Sequence, residues 1–220
     1  MPLKKTKKIL KLKVCGITQM EQYQKLCDLQ VPYIGFIFYP PSGRYVGNSK
    51  FYYHQLIVNN THTNNVTAVF VNASLNDIDK AIKQLPIINT IQLHGNETPL
   101  MCKLLQKKYT VIKALSVEDT TDIEKLIKPY VNHVHYFLFD TKTAQHGGSG
   151  IKYNWNIFIN KIIPHPFFVS GGIAPSDIAS IKKITHPSFY GVDVNSKFES
   201  EIGIKKIEDI ETFYKKLIKI

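Results

Sequence analysis

Cysteine is scarce in this chain, with three in 220 residues: Cys15, Cys27 and Cys102. They are odd in number, far apart and without a CxxC pair, which argues against a disulfide framework and against a zinc knuckle. A reducing cytoplasm suits such usage. Long apolar runs are missing as well. No stretch reaches the roughly 18 apolar residues of a spanning helix, and lysines break Ile9-Leu10-Lys11-Leu12-Lys13 where a secretion signal needs an unbroken core. Acidic residues are few, 17 against 28 Lys+Arg, giving a formal charge of +11. The lysines gather at the two ends (Lys4, Lys5, Lys7, Lys8, then Lys215, Lys216, Lys219) without the interleaved aromatics of a base-stacking surface. The excess therefore reads as a solvated surface that favours an anionic small molecule, with neither nucleic acid nor a membrane as partner. Histidines do not cluster with Glu or Cys at metal-ligand spacing, the first strand lacks a GxGxxG turn, and neither a Walker loop nor a nucleophile elbow is visible. No metal and no cofactor are expected.

What the chain does have is a repeated unit. Short runs rich in Val, Ile, Phe and Tyr are each followed by a polar loop and a stretch with helical spacing: Ile9–Cys15, Ile34–Phe38, Val66–Val71, Thr90–His94, Val111–Leu115, Tyr136–Asp140, Phe167–Ser170 and Phe189–Val194. Most are apolar on consecutive residues, as parallel strands covered on both faces should be. The intervening helices fall at Gln19–Leu29, Ser49–Asn59, Leu75–Leu85, Pro99–Lys107, Glu118–Lys128, Trp155–Lys161, Pro175–Lys183 and Ile204–Ile218. Eight strand-then-helix units predict a single (β/α)₈ TIM barrel over residues 1–220, an α/β fold at the lean end of the usual ~250 residues. An open doubly wound sheet is the runner-up.

The ends of the strands differ in chemistry. After each helix come Pro or small polar residues, which read as turns. After the strands come Cys15-Gly16, Pro40 to Arg44, His94-Gly95, Asp140-Thr141, Ser170-Gly171-Gly172 and Asp193, which a barrel gathers at its C-terminal mouth. Gly171 and Gly172 after strand seven, with Asp193, Asn195 and Ser196 after strand eight, stand where many barrels bind phosphate. Gly147-Gly148-Ser149-Gly150 offers a second backbone cradle or a lid. Cys15 is a candidate general base if neighbouring charge favours its thiolate, and strand alternation puts Lys13 on the same side. Asp140 ends a very apolar run, so burial should favour its protonated form and suit it to general acid work, the plain alternative being a loop hydrogen-bond acceptor. Arg44 presents a planar fork for a carboxylate, or is an idle loop arginine. His94 is either a ligand or a structural imidazole.

Lys13-Val14-Cys15-Gly16-Ile17-Thr18, Gly35-Phe36-Ile37-Phe38 leading to Ser42-Gly43-Arg44, Gln92-Leu93-His94-Gly95 and Phe139-Asp140-Thr141-Lys142-Thr143 occur in order along the chain. With Ser170-Gly171-Gly172-Ile173 and Gly191-Val192-Asp193-Val194, they resemble the phosphoribosylanthranilate isomerase family. The resemblance implies a (β/α)₈ barrel that performs a cofactor-free Amadori rearrangement in tryptophan biosynthesis. It implies Asp140 as the acid that opens the ribose ring and Cys15 as the base that removes the C2′ proton. Arg44 would hold the anthranilate portion, His94 and Gly148 would line the substrate, and Gly171, Gly172, Asp193, Asn195 and Ser196 would surround the phosphate. A monomer is implied, with a homodimer as the alternative. Two segments depart from the family pattern: Asn195-Ser196-Lys197 stands for Ser-Ser-Gly, and Ile202-Gly203-Ile204-Lys205-Lys206 for Pro-Gly-x-Lys-Asp. Competing readings are the histidine-pathway Amadori enzyme, which resembles a pair of aspartates where Cys15 and Ala114-Leu115 stand here, and a catalytically silent barrel kept as a basic binding module.

Overall fold

The computed structural model describes residues 9–47, 64–142 and 153–219. Eight parallel strands, β1 (Lys11–Cys15), β2 (Tyr33–Ile37), β3 (Asn65–Phe70), β4 (Thr90–Leu93), β5 (Thr110–Val117), β6 (Tyr136–Thr141), β7 (Phe167–Val169) and β8 (Phe189–Val194), close into a barrel in sequence order. Closure is made by β8 pairing with β1, which sets Lys13 beside Asp193. The expected strands all occur, within a residue or two at their ends. The expected helix at Ser49–Asn59 and the loop carrying Gly148 lie outside the described residues.

Alternation along the strands sorts the side chains into two layers. Leu12 and Val14 of β1, Ile91 and Leu93 of β4, Phe137 and Phe139 of β6, and Val192 and Val194 of β8 belong to the large core between barrel and helices. Their neighbours therefore point inward: Lys13 and Cys15, Gln92, Leu138 and Asp140, and Asp193. The lower interior is apolar and aromatic. Tyr33, Ile112, Ala114, Leu138 and Phe168 form a separate buried cluster against which Tyr136 and Tyr190 pack. The Tyr33 and Tyr190 hydroxyls meet at 3.2 Å, so the phenols that close the floor of the barrel are hydrogen-bonded to each other. Polarity thus increases along the barrel axis from this floor to the mouth, because the apolar residues of each strand come before the charged one.

The outer ring differs from the sequence expectation in its second half. The helix expected from Glu118 begins at Ile123, where the Asp122 side chain accepts a hydrogen bond from Lys125 N at 3.2 Å and caps it. Trp155–Lys161 is one 3₁₀ turn over Trp155–Phe158, and Asn160 sits in the left-handed region at φ 58°. Pro175–Lys183 divides into a 3₁₀ turn, Pro175–Asp177, and a helical turn, Ile178–Ile181. The last helix starts at Ile207 rather than Ile204, because Ile204–Lys205 (β10) pairs antiparallel with Glu199–Glu201 (β9) across a turn at Gly203. From Ile207 to Leu217 it buries Ile210, Phe213 and Leu217, with Glu208 and Asp209 in its first turn and Lys215 and Lys216 in its last, each sign matching the helix dipole.

Candidate active site

The mouth of the barrel holds a cleft of about 290 Å³. Its walls include Cys15, Arg44, His94, Asp140, Gly171, Gly172, Asp193, Asn195 and Ser196. Every site residue expected from the sequence and lying among the described residues is therefore in one place. A larger cleft, about 570 Å³, opens on the flank between Trp155–Phe158 and His186-Pro187. It shares no residue with the mouth, and its position away from the strand ends separates it from the chemistry described here.

Cys15 closes β1 with its thiol against Lys13. A Cβ on Gly35 of β2 would come within 2.9 Å of Cys15 Sγ and 3.3 Å of Lys13 Nζ, so the glycine makes room for both groups. Lys13 is fully buried and donates to both carboxylate oxygens of Asp193, at 3.0 and 3.1 Å. Burial opposes the Lys13 charge, but Asp193, with Cys15 behind it, holds the ammonium above its ordinary value. For Cys15 the balance goes the other way. Burial pushes the thiol up and Asp193 adds to it, more than Lys13 and Lys205 pull it down. The expectation that neighbouring charge would bring the thiol below its usual value is thus corrected: Lys13 stands where alternation put it, yet desolvation outweighs it, and the free protein holds Cys15 as a thiol at neutral pH.

This gives a titration with a definite sign. Alkylation of Cys15, followed in a Cys27→Ala/Cys102→Ala background, should show a midpoint above the ordinary thiol value of 9.0. Removing a nearby cation disfavours the thiolate, so Lys13→Met should move that midpoint further up. A midpoint that stays put in Lys13→Met would show that the lysine does not act on the thiol.

Asp140 ends β6, but its carboxyl is not enclosed by the apolar run that leads to it. The side chain is 20% exposed, His94 Nε2 lies 3.2 Å from Oδ2, and Thr141 N donates to Oδ1 at 3.0 Å. The burial expected from Tyr136-Phe137-Leu138-Phe139 is only partial, because the two phenylalanines point outward to the helices. His94 is held from its other side by Gln92, whose Nε2 lies 3.1 Å from Nδ1. The imidazole is thus a side-chain link and not a backbone acceptor.

Arg44 is well ordered by its own chain. Glu199 takes its Nε–Nη2 edge, with Nε at 2.9 and 3.2 Å from the two oxygens and Nη2 at 2.5 Å from Oε2. Lys205 Nζ bridges Glu199 Oε1 and Asn195 Oδ1, each at 2.6 Å. Burial alone would raise the Glu199 carboxyl, but Arg44 and Lys205 outweigh it and hold it below the usual carboxylate range. Among the described residues only Glu199 takes guanidinium N–H groups, two of the five, which leaves three for a ligand. The departure at residues 202–206 keeps Gly203 and Lys205 of the family pattern, and these two are what the arrangement uses.

Gly171 and Gly172 have φ of 95° and 65°, and a Cβ on Gly171 would fall 2.0 Å from Thr141 Oγ1. Only glycine fits this turn, which keeps the backbone after β7 close to the cleft. Asn195 precedes a 3₁₀ turn, Ser196–Phe198, whose first N–H groups have no partner in the preceding turn. Sequence reading passed over Gln92, Glu199 and Lys205. Gln92 was within reach of it, lying two residues before His94 on one strand face; Glu199 and Lys205 depend on a hairpin that helical spacing concealed. Among the described residues no group of three or more His, Cys, Asp or Glu is placed to hold a metal ion, and no helix is long and apolar enough to cross a membrane.

Comparison with known proteins agrees with this geometry. The family model for N-(5′-phosphoribosyl)anthranilate isomerase matches residues 12–216. The enzyme of that name from Parabacteroides distasonis is 36% identical over 94% of this chain and 93% of its own length. That from the Paris strain of Legionella pneumophila is 31% identical over 94% and 96%. Among solved structures, phosphoribosylanthranilate isomerase from Thermotoga maritima superposes with a TM-score of 0.84 at 29% identity, covering 96% of this chain and all of that one. Another structure of the enzyme, in complex with reduced 1-(o-carboxyphenylamino)-1-deoxyribulose 5-phosphate, gives 0.79 at 26% identity, with 96% and 100% covered. On these matches, which span nearly the whole barrel, the chain belongs to the N-(5′-phosphoribosyl)anthranilate isomerase family.

Proposed function

We propose that Asp140 and Cys15 act as general acid and general base in the isomerisation of N-(5′-phosphoribosyl)anthranilate, the reaction of the family and a step of tryptophan biosynthesis. The observation that carries this reading is that both groups line one cleft with Arg44 and the glycines after β7. Asp140 gives its proton to the ribose ring oxygen as the C1′–O4′ bond breaks, leaving a Schiff base at C1′. Cys15 first gives up its thiol proton to solvent, and the thiolate then takes the C2′ proton, the C2′–H electron pair becoming the double bond of an enolamine. Protonation at C1′ and loss of the 2-hydroxyl proton complete the ketone, so proton transfers alone balance the reaction and no cofactor is called for. Lys13 and Lys205 are the cations that favour the thiolate while it acts.

The free edge of Arg44 suits the anthranilate carboxylate, since its other edge is fixed by Glu199. The phosphate belongs against the backbone of Gly171 and Gly172 and the turn at Asn195-Ser196, where N–H groups and positive dipole ends favour an anion. Asp193 borders this region, and through its pair with Lys13 it contributes position and not free charge. His94 lines the substrate space through its contact with Asp140. Gly148 would supply further backbone contact. The protein works in a reducing cytoplasm, a reading supported by the free, buried state of Cys15, Cys27 and Cys102, and it acts as a monomer, with a homodimer as the alternative. The test is turnover of phosphoribosylanthranilate, generated in situ from anthranilate and phosphoribosyl pyrophosphate and followed by loss of substrate fluorescence. Turnover is expected, and a folded protein that leaves the fluorescence unaltered would overturn the reading.

A further inference from the structure

Gln92 is an unusual residue for the interior of a barrel. It is fully buried in the middle of β4, between Ile91 and Leu93, which face the helices. A buried amide with an unmade hydrogen bond is destabilising. Here Oε1 has no partner among the described residues, while Nε2 lies 3.1 Å from His94 Nδ1. The amide therefore has one contact, and that contact is the imidazole touching Asp140. Apolar packing would be served better by Leu or Met of similar size.

What an amide offers at that place is a choice of donor or acceptor. A neutral imidazole carries one N–H, and whichever nitrogen holds it is set by the partner of the other. With Nε2 of Gln92 turned to the ring, Nδ1 accepts, the proton sits on His94 Nε2, and that N–H donates to an ionised Asp140 carboxylate. With the amide turned over, Nδ1–H donates to Oε1, and His94 Nε2 presents a lone pair that accepts from a protonated Asp140. Both arrangements keep the ring and the amide in the same place, and the ring, 25% exposed, is open to solvent at the mouth. Other charged groups near Asp140 do not offer this. Asp193 is tied to Lys13, Tyr153 is buried with its hydroxyl donating to Phe139 O, and Cys15 sits on β1 against Lys13.

We propose that Gln92 is a positioning residue for the general acid, its amide turning with the tautomer of His94 so that Asp140 is held in the same place before and after it gives up its proton. The inference rests on the reading of Asp140 as that acid. It gives His94, which lines the cleft, a role toward the carboxyl.

The test combines kinetics with ¹⁵N NMR of histidine-labelled protein, on wild type, Gln92→Met and Asp140→Asn. For Gln92→Met the expected result is a kcat lowered about tenfold, one kinetic decade or ~1.4 kcal/mol of barrier, with KM within about twofold. In the wild type the neutral His94 ring should show a single tautomer, fixed by the Gln92 contact to Nδ1. In Gln92→Met the neutral ring should show a mixture of the two. An unchanged tautomer pattern in Gln92→Met would overturn the proposal, and so would a kcat equal to wild type. A lower kcat that comes with a lower melting temperature and unchanged tautomers would overturn it too, since Gln92 would then be packing only. The NMR readout does not depend on what Asp140 does to substrate, so full activity in Asp140→Asn would reject the acid assignment separately.

Discussion

Asp140→Asn should lower kcat by about 10²–10⁴-fold, the span that a positioned general acid contributes. The asparagine keeps the size of the side chain and can still accept from Thr141 N, which now donates to Oδ1 at 3.0 Å. It cannot supply the proton that ring opening requires. Cys15→Ala should cost a similar factor, because the base is lost while the buried Lys13–Asp193 pair beneath it stays intact. The double variant should be little worse than either single one, as is usual when two groups serve one sequence of steps. Initial rates at saturating substrate check all three. Single variants that stay within about fivefold of wild type would show that these two side chains do not carry the proton transfers.

The positions of both groups were legible in the sequence, since each ends a strand run and alternation put Lys13 on the side of Cys15. Periodicity says nothing about solvation. It led to a buried Asp140 and an activated Cys15, whereas the carboxyl is open to the mouth and the thiol is the enclosed group. The difference comes from strand length: β6 runs to Thr141 and carries Asp140 to the rim, while β1 stops at Cys15 with β2 and Lys13 packed around it. Glu199 and Lys205 were hidden for a related reason. The helix was carried back to Ile204, three residues early, and the hairpin that brings Lys205 to Glu199 depends on Gly203 at φ 84° turning Ile204–Lys205 back onto Glu199–Glu201. Local pattern identifies faces; it does not identify charges that meet through tertiary structure.

The largest stability effect is expected at a pair that makes no contact with the proposed chemistry. Lys113 lies on the outer face of β5, 1% exposed, and its ammonium donates to Leu93 O, Gly95 O and Glu97 Oε2 at 3.2, 2.7 and 2.8 Å. Glu97 in turn accepts from Asn72 N and Gly95 N, so one buried carboxylate ties together the loops after β3 and β4. Burial raises the Glu97 carboxyl, but Lys113 and the backbone donors outweigh it, and its value is held below the ordinary one. By linkage, that contribution is present above the unfolded carboxylate pKa and is lost as pH falls through the lower folded value. Lys113→Met leaves this carboxylate buried without its cation, a change that typically costs about 3–5 kcal/mol. For a chain of this size the melting temperature should fall on the order of 10 °C at pH 7. The penalty should shrink in acid, where protonation of Glu97 relieves the unpaired charge. Lys142→Met, which breaks the exposed pair with Glu118, should barely move the transition. Thermal unfolding at two pH values distinguishes these cases: equal small shifts for both variants would mean that the Lys113–Glu97 pair does not hold the two loops. Because His94 immediately precedes Gly95, a destabilised loop should also disturb the contact to Asp140, so activity lost in Lys113→Met below its melting temperature would connect the outer pair to the proton at the mouth.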